Sequence, residues 1–367
     1  MKFRKFLILA GKKFSAAMQA FISWVLSDGG TVEAKAYVDG ILLTASNASI
    51  LQIPSAYKAE VLYNQIPITP DNDDFTVARA SYVWRTNEQG VLEVLGNDVP
   101  CIDYSDGFPV LLTQPQSTNL YLNNETLSTQ NVTTSAIPYT VSFYGTGTIT
   151  FTGTHTGSLV GTGVSDRVQV TFTPTAGTLT STVSGTVTKG QIEALSYATT
   201  PIPTTGATAT RLGDVISGAG STDSINSEEG VLYVESAALA NDLTQRMIII
   251  SDGTSNNYIR FSYFVSQNRV TVLGKVGGSV VASIDEIITD ITQFQKFAVV
   301  YNSNKLELWV GESETAEVIA NVSFPANTLN VINFYNEFTT NFFYGKTKDL
   351  RVYSSIAAAQ IDLPYIT

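Results

Sequence analysis

Apolar and hydroxyl-bearing positions alternate through the middle of the chain. Tyr139, Val141 and Phe143 alternate with Thr140, Ser142 and Tyr144, and Ile149 and Phe151 with Thr148, Thr150 and Thr152. Val168, Val170 and Phe172 repeat the pattern against Gln169, Thr171 and Thr173. A period of two with one apolar and one hydroxyl face predicts antiparallel strands packed on one side only. Gly145, Gly147, Gly153, Gly157, Gly161, Gly163 and Gly177 fall at the spacing of turns. The aromatics supply a core, so residues 117–197 are expected to form a small Thr/Gly-rich β-sandwich and not a disordered stalk.

A second β block follows residue 220. Val231–Val234, Met247–Ile250, Tyr258–Val265, Val270–Lys275, Phe297–Tyr301, Leu306–Val310 and Asp349–Tyr353 read as strands, with Asp252-Gly253 and Asn302-Ser303-Asn304 as hairpin turns. Short strands with short turns predict a sandwich or jelly roll over 221–367. Between the blocks, residues 198–220 are rich in Pro, Gly and Thr and poor in apolar side chains, which predicts a linker.

The start of the chain has another period. Phe14, Ala17, Met18, Phe21, Ile22 and Val25 recur at helical spacing, and Phe3, Leu7, Ala10, Phe14, Ala17, Phe21 and Trp24 follow alternating steps of four and three. Gly29-Gly30 supplies a stop. Residues 1–30 are therefore expected to be a basic amphipathic helix. Three roles compete for it: docking on a partner protein or on copies of itself, lying on a membrane surface over residues 1–26, or serving as an ordinary domain helix or atypical signal. No stretch reaches the ~20 uninterrupted apolar residues of a spanning helix. Residues 31–116 form a connecting segment. In it Val32–Leu43 extends the helical pattern, and Ile50–Ile53 and Val61–Ile68 read as short strands. Asp71–Asp74 reads as a turn, Tyr82–Trp84 with Val91–Leu95 as a hairpin, and Val110–Leu112 as a strand. The fold class that results is mainly β, an N-terminal α-helix followed by two antiparallel β-sandwich domains.

Charge and composition narrow the function classes. Net charge is −11, yet the first thirteen residues hold Lys2, Arg4, Lys5, Lys12 and Lys13 and no acid. A short cationic end on an acidic body marks a specialised terminus. The acidic body excludes nucleic acid as a partner, because duplex binding rests on phosphate neutralisation. One Cys and one His exclude a disulfide framework and a multi-His or Cys-cluster metal centre. Gly11-Lys12-Lys13 lacks the flanking Gly and Ser/Thr of a phosphate loop. His155 lies in Gly153-Thr154-His155-Thr156-Gly157, a turn sequence, and Glu228-Glu229 and Asp285-Glu286 are neighbours that point to opposite faces of a strand. The expectation is a protein that is not an enzyme and needs no cofactor.

Several tracts carry a family resemblance. Phe75–Leu120 contains Arg79-Ala80-Ser81, the strand around Gly90-Val91-Leu92-Glu93, Val99-Pro100-Cys101-Ile102-Asp103-Tyr104 and Leu111-Leu112-Thr113-Gln114-Pro115-Gln116-Ser117-Thr118-Asn119-Leu120. This resembles a segment of bacteriophage tail-fibre and related virion appendage proteins, with Cys101 in place of a usual Arg and Gln114 in place of a Glu. Gln191-Ile192-Glu193-Ala194, Ser196-Tyr197-Ala198-Thr199 and Ile202-Pro203-Thr204-Thr205-Gly206 match the exit of the same module, and Ser27–Glu33 a tract near the start of such proteins. The last ~140 residues resemble a concanavalin-like/laminin-G-like jelly roll, through Gly230–Glu235, Phe297–Tyr301, Leu306–Val310, Phe343–Lys346 and Asp349–Tyr353.

The resemblance implies a fibre or spike on the virion surface, made in the bacterial host cytoplasm. It implies a homo-oligomer, a trimer by preference, joined to other virion proteins through its N-terminus and contacting a host cell-surface glycan or protein. Passive capsid decoration and glycan depolymerisation are the alternatives. Aromatic faces suited to sugar rings are Trp309, Tyr258, Tyr263 and the cluster Phe342, Phe343 and Tyr344, each also a candidate for the core. Asp252 and Asp285 are candidate calcium ligands, as in some laminin-G-like domains.

Overall fold

The computed structural model describes residues 35–38, 41–44, 47–52, 54, 57–58, 61–62, 74–264, 267–336 and 340–366. The expected N-terminal helix, with Phe3, Leu7, Phe14, Phe21, Trp24 and the cations Lys2, Arg4, Lys5, Lys12 and Lys13, lies outside them. Among the described residues no helix is long and apolar enough to cross a membrane. The chain is mainly β, with antiparallel ladders and, among the described residues, one short α-helix, Ile356–Asp362, near the C-terminus.

Two sheets face each other in the larger sandwich. One has five strands in the order Ser279–Ile287, Arg269–Val276, Tyr258–Tyr263, Arg246–Ser251, Val331–Asn333. The other runs Ser313–Ile319, Lys305–Val310, Gln295–Tyr301, Gly230–Ala238, Gly345–Tyr353, Val110–Leu112, Ile102–Asp103, and Ile50–Gln52 also pairs with Gly345–Tyr353. Alternation sends Ile248, Ile250, Ile259, Phe261, Val270 and Val272 from the first sheet against Leu232, Val234, Phe297, Val299, Leu350 and Val352 from the second. Phe261 and Phe297 meet across the gap with ring centroids 5.0 Å apart. The far side of the second sheet is covered by the C-terminal helix, whose first turn is capped by the Ser355 hydroxyl accepting from Ala358 N–H.

The smaller sandwich has its own core of Tyr121, Val141, Phe143, Ile149, Phe151, Leu179 and Ile192 among others. Its sheets are Gln130–Thr134, Gly177–Ser184, Thr148–Gly153, Gly157–Val160 and Gly163–Phe172, Tyr139–Gly145, Val187–Glu193. The chain enters it through Ser117–Asn119 and leaves through Ala209–Arg211, and these two short strands pair with each other. The small sandwich is thus inserted into the large one.

Three sequence expectations are corrected by this topology. The connecting segment is part of the large sandwich: Ile50, Phe75, Val77, Ile102 and Leu111 lie in its core. The helical extension over Val32–Leu43 is replaced by a hairpin, in which Lys35–Val38 pairs with Ile41–Thr44. Residues 198–220 are no free linker. Thr199, Ile202, Thr204, Arg211, Asp214 and Ile216 are buried, and Val215–Ser217 pairs with Phe75–Ala78.

Side-chain amides replace apolar packing there. Asn119 Nδ2 donates to the Ile202 carbonyl at 3.0 Å, Gln191 Oε1 accepts from Ile202 N–H at 2.7 Å, and Asn124 Oδ1 accepts from Thr204 N–H at 2.7 Å. Buried backbone needs such partners, so a segment with few apolar residues can still be packed. Around this neck, Glu193 accepts from the Ser117 hydroxyl at 2.6 Å and from Thr199 N–H at 3.0 Å, while Arg79 pairs with Asp214 at 2.7 Å, both side chains buried.

Candidate binding face at the neck of the sandwich

Most of the aromatic residues expected to contact sugar are structural. Trp309 is 5% exposed on the sheet face beneath the C-terminal segment, and its Nε1 donates to Glu307 Oε2 at 3.1 Å. Tyr263 is 0% exposed and shares a hydrogen bond of 2.9 Å with Ser236 Oγ. Phe343 is 1% exposed, packed on Tyr263 and Phe334. A ring enclosed on both sides offers no face to a sugar, so these three assignments are corrected. Tyr258, 6% exposed, has the Lys275 ammonium 5.6 Å from its ring centroid, so it too is removed from direct stacking. Tyr344 is half-buried. His155 stacks on Phe172 at 3.9 Å and does not face a nucleophile there.

The calcium pair is also corrected. Asp252 spends its carboxylate on Thr254 N–H, the Thr254 hydroxyl and Asn257 Nδ2, at 2.8, 2.7 and 2.7 Å. Asp285 accepts from the Thr271 hydroxyl at 2.5 Å. Asp252 follows the row containing Lys275, whereas Asp285 pairs with Thr271, four residues and ~13 Å along the strand. Among the described residues no cluster of three or more His, Cys, Asp or Glu is placed to hold a metal ion.

The face of the five-stranded sheet turned away from the core is itself largely covered, with Met247, Ile249, Ser251, Tyr258, Ser262 and Thr271 buried. Directly paired residues share a face. One row on it is Asn333, Ile249, Arg260, Leu273 and Ser283, and its neighbours are Ser251, Tyr258 and Lys275 on one side and Met247, Ser262, Thr271 and Asp285 on the other. The intervening residues, including Ile248, Ile250, Ile259, Phe261 and Val272, fill the core.

An aromatic wall borders this face. Phe342 forms an isolated parallel bridge with Met247 and therefore lies on the same side of the sheet. Phe343 turns inward, which leaves Phe342 and Tyr344 outward. On the preceding strand Phe334 turns into the core and Tyr335 turns out. The Tyr335 and Phe342 rings lie 5.6 Å apart, and Phe342 and Tyr344 stack at 5.5 Å with 21° between planes. All three are half-buried, and Phe343 N–H donating to the Phe334 carbonyl at 2.7 Å fixes the two segments together.

The wall has an amide and hydroxyl rim. Asn336 Oδ1 accepts from Thr340 N–H at 2.9 Å, Asn336 Nδ2 donates to the Thr340 hydroxyl at 2.9 Å, and Asn341 Nδ2 donates to Gln245 Oε1 at 3.1 Å. At the inner end, burial, reinforced by Asp214 and Tyr197 and opposed by Arg211, pushes the Tyr344 phenol up to about 12. Its hydroxyl therefore stays protonated at neutral pH. Three rings in series, edged by fixed amides, offer apolar faces and directional polar groups to one ligand.

Tyr335, Asn336, Asn341, Gln245 and Arg260 were not among the residues singled out from the sequence. The available signal was the doublet Phe334-Tyr335 and the triplet Phe342-Phe343-Tyr344, where adjacent rings must point to opposite sides of a strand.

No family model and no curated protein matches the chain. Among solved structures, the chain is similar to the CBM40 domain of the Ruminococcus gnavus IT-sialidase bound to α2,3-sialyllactose. That match has 12% identity and a TM-score of 0.30, and covers 35% of this chain and 76% of that one. It is similar to the Caenorhabditis elegans galectin LEC-6 at 12% identity and TM-score 0.26, over 34% of this chain and 83% of the galectin. The binding domain of botulinum neurotoxin serotype G matches at 12% identity and TM-score 0.30, over 41% of this chain and 39% of that domain. Likeness at this level assigns neither a family nor a ligand.

Proposed function

We propose that this chain is a glycan-recognition component of a bacteriophage virion appendage, a fibre or spike, and that it acts by binding without breaking a bond. The observation that carries the reading is the half-buried wall of Tyr335, Phe342 and Tyr344 at the border of the five-stranded sheet. A pyranose presents a C–H face and an edge of hydroxyls. The rings take the first, and the amides of Asn341 and Gln245, held in place beside the buried Asn336, take the second.

Placement on a particle is supported by the tracts from Arg79 to Leu120 and from Gln191 to Gly206 that resemble appendage proteins. To the same reading belong attachment to other virion proteins through the cationic N-terminus, a homotrimer, and a position on the virion surface. Copies held together convert weak single sites into firm adhesion, because the second contact is made at high effective concentration.

The test is a glycan array with the full chain and its Tyr335→Ala/Phe342→Ala variant. Binding to a defined glycan set is expected for the first and loss for the second, with unchanged thermal melting. A binding profile unmoved by the double substitution overturns the wall as the site. Purified particles that adsorb to host cells but lack the chain by mass spectrometry overturn the appendage placement, and release of reducing sugar from the bound glycan overturns the non-catalytic role.

A further inference from the structure

We infer that the hairpin of Val83–Thr86 and Leu92–Leu95 carries a second saccharide contact, so that the ligand is an extended neutral oligosaccharide. The inference rests on the glycan-binding reading above and names its ligand class. Among the described residues the two strands pair only with each other. Val83 and Leu95 turn inward onto Cys101 and Leu112. Alternation sends Trp84, Val94 and Leu92 to the opposite face, and Tyr82, two residues before Trp84, joins them. Tyr82 is 71% exposed and is the one exposed aromatic side chain among the described residues. Val94 is 53% exposed. One step past the Val83–Leu95 pair, Gly96 leaves open space, since a Cβ there would meet nothing within 4 Å.

Size and charge select the occupant. The face is two strands wide and four residues long, roughly 10 Å by 13 Å. A second copy of the chain needs about 800 Å² on each side, several times what this face offers. One or two sugar rings match it, with their C–H faces on the Tyr82 ring and the Val94 methyls. The Lys189 ammonium lies 5.4 Å from the Trp84 ring centroid and is tied to Glu125 at 2.8 Å. Arg85 pairs with Glu93 at 2.6 Å. These ions are matched in pairs, so neither sign is left over to attract a charged sugar. A net charge of −11 further disfavours an acidic one.

The hairpin and the aromatic wall are neighbours at the neck. Leu212 N–H donates at 3.0 Å to the hydroxyl of Ser81, the residue before Tyr82. At the next position, Gly213, a Cβ would stand 2.9 Å from the Tyr344 hydroxyl. Two consecutive residues thus touch both aromatic surfaces, and Leu212 is itself exposed. A linear saccharide laid on the wall at one end reaches Tyr82 with the other. The second contact is then made at high effective concentration and strengthens the first.

The experiment titrates the full chain with cellohexaose, mannohexaose and maltohexaose, with the matching disaccharides, and with hexagalacturonate. A neutral hexasaccharide is expected to bind and to protect Trp84 from acrylamide quenching. Trp84→Phe assigns that signal by removing it, since Trp309 is buried. Tyr82→Ala is expected to weaken the hexasaccharide about tenfold, the loss of one stacked ring, and to leave the disaccharide unchanged. Val94→Ser is the second variant, with the same pattern and a smaller loss. A Tyr82→Ala chain that binds hexasaccharides like the parent overturns the inference; loss of binding in Tyr335→Ala/Phe342→Ala would still leave the glycan-binding function standing. Hexagalacturonate bound as tightly as the neutral probes overturns the neutral class. Tyr82→Ala lowering the sedimenting mass would make the hairpin an interface between proteins and overturns the inference as well.

Discussion

Removing one carboxylate at the neck should cost more than removing almost any surface group. Asp214 Oδ1 accepts from Arg79 Nη1 at 2.7 Å, and its Oδ2 accepts from Gln114 N–H at 2.8 Å and lies 3.7 Å from Arg211 Nη1. Arg79 is otherwise held by the carbonyls of Ser81, Gly96 and Val99 at 3.0, 2.9 and 2.9 Å. In Asp214→Ala those carbonyls still accept from the guanidinium, but its charge has lost its counterion in a site with 0% side-chain exposure. Breaking a buried pair by removing one partner costs about 3–5 kcal/mol. An orphaned Gln114 N–H contributes to that figure, since an unsatisfied buried donor alone costs about 1–3 kcal/mol.

The assay is equilibrium denaturation followed by tryptophan fluorescence. Trp84 reports on the neck, because the Lys189 ammonium from the small sandwich lies 5.4 Å from its ring centroid. Asp214→Ala is expected to lose about 3–5 kcal/mol, and Arg79→Met/Asp214→Leu less, because the double variant removes the Arg79 charge with its counterion and leaves only Arg211, still held by the Leu212 and Pro115 carbonyls, without that carboxylate. A loss below about 1 kcal/mol for the single variant would refute the reasoning, as would a double variant worse than the single. The first result would mean that water reaches the pair.

Two further outcomes follow from the same geometry. Gly145 has φ +128°, and a Cβ there would stand 2.2 Å from the Thr186 carbonyl oxygen, so Gly145→Ala should lower the melting temperature of the small sandwich, costing on the order of 3 kcal/mol. Calorimetry should show the large sandwich melting as before, since the two cores share no residue. Burial, opposed by Arg246 and helped by Asp242, pushes Tyr197 up to about 12, as burial does Tyr344. The folded pKa exceeds the unfolded value of 10, so the stability these phenols contribute is complete below pH 10 and lost as pH rises through about 12. Absorbance near 295 nm should show a late phenolate rise smaller by one tyrosine in each of the Tyr197→Phe and Tyr344→Phe variants, since other buried tyrosines still ionise late; a variant that loses amplitude near pH 10 instead contradicts the burial of that residue.

Many of the strands with an apolar face were legible, though Gln130–Thr134, Gly177–Ser184 and Val187–Glu193 were not. Val110–Leu112 was read with its observed limits, and Phe297–Tyr301 and Leu306–Val310 to within two residues. Strands with two polar or mixed faces were missed. Ser279–Ile287 and Ser313–Ile319 lie at sheet edges, with many exposed side chains and little periodicity. The insertion of one sandwich into the other was not legible either, because pairing of Ser117–Asn119 with Ala209–Arg211 joins residues about ninety positions apart. At the site, sequence identified the aromatic cluster 342–344 but not which rings point out. That depends on the bridge from Met247 to Phe342, a tertiary contact.

The residues that carry the family resemblance and those that form the binding face are mostly different residues with different physical roles. Arg79, Ser117, Asn119, Gln191, Glu193 and Thr199 belong to the recognisable tracts, and all of them take part in the buried hydrogen bonds of the neck. A buried carboxylate that accepts from a hydroxyl and a backbone N–H leaves few chemical alternatives at each position, because any unpaired member is costly. Such a network writes a definite sequence signature. The wall asks less of its residues: a tyrosine, phenylalanine or tryptophan at three positions can supply the same apolar faces. The tracts therefore speak for how two sandwiches are joined and aimed. The proposed ligand contact has to be argued from Tyr335, Phe342 and Tyr344, which lie outside the neck tracts and are brought together by tertiary contacts.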